Sequence, residues 1–103
     1  MEPAQAIQEL DLVVARVKGV AAHPGARGPS TLLTLDLGGR GSRETALPLA
    51  IEEAAELVGR QVVCALGSSP GDEDTVVLAV HPHDSGLVLL RPDREVEDGS
   101  PVA

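Results

Sequence analysis

A chain of 103 residues is of single-domain size and can withdraw roughly 60–70% of its unfolded surface from water; 43% of it is hydrophobic, without one Phe, Tyr or Trp. Its 8 basic against 16 acidic residues leave a formal net charge of -8, which repels polyphosphate at long range and argues against non-specific nucleic-acid binding. The one cysteine, Cys64, rules out a disulfide framework within the chain.

The first stretch, "EPAQAIQEL", carries Pro3 where a first helical turn has no use for its missing N–H, and Ile7 and Leu10 at i, i+3. This predicts an N-terminal helix over residues 1–10 and no basic, apolar secretory signal. With no apolar run near the ~20 residues of a membrane helix, the expectation is a cytoplasmic protein without a membrane partner. "LVVARVKGV" alternates Val13, Ala15 and Val17 against Arg16 and Lys18, the period of a half-buried strand, with Gly19 as a place to bend. "AHPGARGPS" is a loop by its Pro and Gly content. "TLLTLDLGG" puts Leu33, Leu35 and Leu37 on one face of a second strand that ends in a turn.

In "RGSRETALPLA", Pro48 excludes a central sheet position and leaves a short edge strand around Thr45. "IEEAAELVGR" reads as a short helix: acidic residues in its first turn, Ile51, Ala54, Ala55 and Val58 at helical spacing, and Gly59 as the stop. "QVVCAL", "TVVLAV" and "LVLL" are aliphatic strands separated by the turn-rich "GSSPGDED" and "HPHDSG". Five or so short strands with a helix between the third and fourth is the order of an oligonucleotide/oligosaccharide-binding (OB) barrel. The expected core is Val13, Ala15, Val17, Leu33, Leu35, Leu37, Val63, Ala65, Val77, Ala79, Val88 and Leu90. Cys64 reads as a small buried hydrophobe.

Four segments in order, "LDLVVARV", "HPGARGP" with "LTLDLG", "ELVGRQVVCA" and "LVLLRPDREVEDG", make the chain resemble the tRNA-binding-domain family, the CsaA secretion chaperones and synthetase-appended domains. The resemblance implies one all-β, five-stranded OB barrel over residues 1–103, with a C-terminal segment at 91–103. It also implies no catalysis, no cofactor, a homodimer, and a face for structured tRNA or unfolded polypeptide. Its RNA- or ligand-facing residues here would be His23 and Arg27 in the first-to-second strand loop, and Arg43 and Thr45 in the third-strand motif. The chain departs from the pattern where the family has aromatic and basic residues: it has Thr31, Leu32 and Thr34 entering the second strand, and Asp72, Glu73 and Asp74 in the loop after the fourth. The resemblance thus implies a tRNA-binding fold with weakened RNA affinity. The alternatives are a polypeptide-binding, export-associated chaperone and a dimeric scaffold whose acidic loop, residues 67–74, steers a protein partner.

Each candidate has a plainer competitor. Arg27 and Arg43 could fork onto phosphate, but the acidic field favours two solvated loop arginines. Arg91 and Arg94 are expected to pair with Asp93, Glu95 or a partner chain, and the dimer seam is expected to take these arginines together with Ile7 and Leu10. The turn "HPHD", His81 to Asp84, has imidazole and carboxylate but no further fixed ligand, so no metal is expected. "GDEDT" lacks the oxygen spacing of a calcium loop. Ser68 and Ser69 have no neighbouring base, and no nucleophile is assigned.

Overall fold

The computed structural model describes residues 2–67, 74–84 and 86–103. The elements run α1 (Pro3–Glu9), β1 (Asp11–Ala22), β2 (Thr31–Asp36), a 3-10 turn (Gly38–Arg40), β3 (Ser42–Leu47), α2 (Ile51–Ala55), β4 (Gln61–Leu66), β5 (Thr75–Val77), β6 (Ala79–Val80) and β7 (Val88–Leu89). The first five strands form one antiparallel sheet in the order β3-β2-β1-β4-β5, and β6 pairs with β7. Antiparallel steps on either side of β1 leave β3 and β5 parallel to each other. The sheet curls until those edges meet, where the Thr45 hydroxyl donates to the Thr75 carbonyl at 2.6 Å. The fold is therefore a mostly β, OB-like barrel that is nearly closed, as the strand order predicts.

The 12-residue β1 organises the barrel. Its register against β2 slips between Val17 and Gly19, leaving Lys18 as an extra residue, and this bulge bends the strand where Gly19 was expected to allow it. The N-terminal half of β1 pairs with β4 on one side. On its other side, before β2 begins, the C-terminal segment takes the free edge. Val14 N–H donates to Ser100 O at 2.9 Å, Gly99 N–H to Val14 O at 2.7 Å and Val102 N–H to Leu12 O at 2.9 Å. The segment can lie this close because Gly99 (φ 90) and Gly38 (φ 63) have no Cβ. A Cβ on Gly99 would run into the Leu37 carbonyl, and one on Gly38 into the Asp98 carbonyl.

The core consists of branched aliphatics: Val13, Ala15, Val17, Leu33, Leu35 and Leu37 are fully buried, as expected, and Val77 nearly so. The fourth strand corrects the sequence reading. Val62, Cys64 and Leu66 face the core, while Val63 and Ala65 are only half-buried. "QVVCAL" is apolar on both faces, so alternation could not choose between them. The pairing does: Val13 lies opposite Cys64 and Ala15 opposite Val62, and paired residues share a face. The same two-sidedness misled the last strand, where Val88 is 49% and Leu90 42% exposed. Leu87 and Leu89 pack on the core instead, and Ala79, paired with Leu89, is half-buried. "TVVLAV" is divided because Leu78 N–H bonds Val63 O while Val63 N–H is taken by Leu90 O, which draws β6 away to pair with β7.

The helix over 51–58 is shorter than its pattern. It ends at Ala55 and continues as turns to Gly59, whose φ of 89° makes the expected stop. Ala54 is buried and Leu57 packs on the core, while Ile51 and Val58 are 41% and 46% exposed. The helical stripe therefore faces inward through Ala54 and Leu57 rather than through Ile51 and Val58. Ser68, Ser69, Asp72 and Glu73 lie outside the described residues.

Two outcomes test this packing. Leu35→Ala should cost about 2–5 kcal/mol in chemical denaturation, whereas Val88→Ala should cost less than about 1 kcal/mol. Burial pushes the Cys64 thiol up to about 11, so at pH 8 a thiol reagent should label Cys64 only after unfolding.

Candidate functional site

The residues expected to face RNA are divided between the two ends of β2. His23 is half-buried in the β1–β2 loop, with Nδ1 2.7 Å from the Ser30 hydroxyl, a contact that closes the loop on itself. Arg27 is exposed on the same loop, and its side chain has no hydrogen bond or ion pair among the described residues. Arg43 and Thr45 sit opposite Leu35 and Leu33, on the face of β3 that carries Leu47 into the core. Thr45 donates its hydroxyl to the barrel seam, and Arg43 is likewise engaged. From Thr31, where the loop ends, to Leu35 is roughly 13 Å along an extended strand. The structure thus groups His23 with Arg27, and Arg43 with Thr45, but does not bring the two pairs together.

Of the residues expected at a dimer seam, Ile7 is half-buried and Leu10 is 56% exposed at the end of α1. Arg91 and Arg94 lie after β7 and line a cavity of about 290 Å3 with Gly59, Arg60, Gln61 and Glu95. Sequence reasoning passed over Arg60. It stands some thirty positions before its neighbours, and only the meeting of the α2–β4 turn with the C-terminal segment joins them.

One network fixes the floor of this cavity. Arg16, on the outer face of β1, donates Nη2 to Glu95 Oε2, Nε to Asp98 Oδ2 at 3.2 Å and Nη1 to Gly59 O at 2.7 Å. Gln61, 4% exposed, donates Nε2 to Val96 O at 2.6 Å and to Asp98 Oδ1 at 2.8 Å, and its Oε1 accepts from Val96 N–H at 3.1 Å. Two β-strands thereby hold residues 95–98 by side chains alone. Its hydrogen bond from Gln61, and then the Arg16 guanidinium, keep the Asp98 carboxyl below the usual carboxylate range. Arg16 does the same for Glu95. A second pair, Arg40 with Asp11 at 2.7 Å, lowers the Asp11 carboxyl and ties the 3-10 turn to the start of β1.

A second groove, of about 260 Å3, adjoins the first through Arg60 and Arg91. Its walls are Leu49, Leu57, Leu87, Val88 and Leu89, and Glu53 and Glu56 line it too. His81, His83 and Asp84 are exposed, and no three His, Cys, Asp or Glu side chains converge among the described residues. Among those residues, too, no helix is long and apolar enough to cross a membrane.

The strap has a measurable pH signature. Lowered folded-state values mean that Asp98 and Glu95 stabilise the fold above the ordinary carboxylate range and lose that contribution as pH falls through those values. Asp98→Asn should therefore melt below the parent at neutral pH, with the gap closing towards about pH 2. A gap independent of pH in thermal melts would contradict this.

No family model and no curated protein matches the sequence. Solved structures do match. The chaperone CsaA of Bacillus anthracis str. Ames superposes with a TM-score of 0.79 at 24% identity, over 100% of this chain and 99% of that one. The CsaA chaperone protein of Picrophilus torridus gives 0.79 at 22%, over 100% of both chains. The MetRS related protein of Pyrococcus horikoshii gives 0.77 at 16%, over 100% of this chain and 98% of that one. Over its whole length the chain has the fold of these CsaA chaperones and of the MetRS related protein.

Proposed function

We propose that the chain is a non-catalytic, CsaA-like binding protein, a homodimer that takes apolar polypeptide segments and holds tRNA only weakly. The observation that carries this reading is the chemistry of the surface. On β3 the Thr45 hydroxyl is engaged at the barrel's own seam and Arg43 is engaged as well, while aliphatic side chains stand outside. With no Phe, Tyr or Trp and a net charge of -8, the chain lacks the large rings for base stacking and the charge for broad phosphate neutralisation, the usual sources of RNA affinity in a barrel of this kind. Two solved structures of the same fold are named as CsaA chaperones, which supports a polypeptide client.

The aliphatic surface has two parts. Leu12, Ala65 and Val76 pair in one row across β1, β4 and β5, with Val76 60% exposed. We assign this row, together with Ile7 and Leu10 of the preceding α1 segment, to the two-fold seam. The client site is the groove walled by Leu49, Leu57, Leu87, Val88 and Leu89, flanked by charge of both signs that keeps it open to solvent. Arg91 and Arg94 belong to the adjoining cavity.

The full chain should suppress aggregation of a chemically denatured client at micromolar concentration, and Val88→Asp should weaken that without changing the mass in light scattering. Val76→Asp should give the monomer mass. Anisotropy with bulk tRNA at low salt should show no saturation below tens of micromolar protein. Tight tRNA binding together with no effect on client aggregation would overturn the reading.

A further inference from the structure

Arginine is used in two ways in this chain. Arg16 and Arg40 are ion-paired, as expected where acidic residues outnumber basic ones 16 to 8. Among the described residues, the side chains of Arg60, Arg91 and Arg94 make no hydrogen bond or ion pair, and all of them line one cavity. Carboxylates stand close by: Glu53 and Glu56 line the neighbouring groove, and Asp93 lies between two of the arginines in sequence.

The other polar groups of the cavity point to its ligand. Gly59 O accepts from Arg16 Nη1, and the Glu95 carboxylate accepts from Arg16 through both oxygens. The Gln61 amide is saturated by Val96 and Asp98. The Gly59 carbonyl, the Glu95 carboxylate and the Gln61 amide are thus already engaged by donors or acceptors of the fold, and the charged groups left available in the cavity are guanidinium donors. We propose that Arg60, Arg91 and Arg94 form a binding site for a compact phosphate group, with Arg16 as the positioning residue that holds the Glu95 carboxylate and the Gly59 carbonyl of its wall.

A phosphate monoester carries about -1.5 to -2 charge near neutral pH, and guanidinium offers it forked, charge-assisted hydrogen bonds. Three cations suit that dianion better than a single carboxylate. An extended polyanion would run from the cavity past Arg60 and Arg91 onto Glu53 and Glu56, so the site selects one terminal or free phosphate rather than a nucleic-acid backbone. A volume of about 290 Å3 lies at the small end of the ~300–1,000 Å3 usual for small-molecule sites. Arg60 and Arg91 also border the groove that holds Val88, whereas Arg94 lines only the cavity, so loss of phosphate binding in Arg94→Gln with client protection intact separates this inference from the polypeptide reading.

The test is a titration of the full chain with inorganic phosphate at constant ionic strength, followed by backbone and arginine side-chain NMR. Saturable shifts are expected at residues 59–61 and 91–95. Arg60→Gln, Arg91→Gln and Arg94→Gln should each weaken binding by about five- to tenfold, with melting temperature unchanged because these side chains hold nothing in the fold. Arg27→Gln, an exposed and equally unpaired arginine elsewhere, should leave the affinity as it was. A short oligonucleotide with a 5′-phosphate that binds more tightly than inorganic phosphate, and than its unphosphorylated form, places the group on a nucleic-acid end. Equal affinity for the two phosphates indicates a free monoester, and both results support the site. Shifts that do not saturate, acetate binding as well as phosphate, or an Arg27→Gln loss equal to that of Arg94→Gln would overturn it.

Discussion

The divided edge of β1 is the constraint from which the remaining architecture follows. A strand of 12 residues in a small barrel outruns its partners, and any unpaired buried amide or carbonyl along it would be costly. β4 satisfies one side of the N-terminal half, and β2 takes up the other edge from Arg16 onward. What remains, around Leu12 to Val14, is completed by residues 99–102. A segment too polar to enter the core is therefore part of the sheet, and the chain end is drawn across the barrel to the glycine pair Gly38 and Gly99.

Placing that segment has an electrostatic consequence. Residues 95–98 arrive with carboxylates, and Arg16 and Gln61 meet them from adjacent strands. That guanidinium offsets one of the two carboxylates it meets, Glu95 and Asp98, and Arg60, Arg91 and Arg94 supply the positive charge of the adjoining cavity.

The absence of rings shapes the other surfaces. A barrel core of Val, Leu, Ala and Cys is built from small volumes, so the strands can be aliphatic on both faces and still close. Residues such as Val76, Val80 and Val88 are then left exposed outside the barrel. An aliphatic exterior attracts apolar surface without directional preference.

The sequence by itself determined the strand order, the bend at Gly19, the stop at Gly59 and the inward faces of β1 and β2, because there polar and apolar residues alternate and only one face can be buried. It also determined the acidic, ring-free character that bears on RNA affinity. Tertiary structure alone decided which face of "QVVCAL" and "LVLL" is core, since both are apolar and only the pairing with β1 and β6 selects Cys64 over Val63 and Leu89 over Val88. It decided likewise that the Thr45 hydroxyl joins β3 to β5 at the barrel seam. And it alone brought Arg60 to Arg91 and Arg94, because local patterns describe neighbours along the chain, whereas a site is made by segments that meet only when the barrel closes.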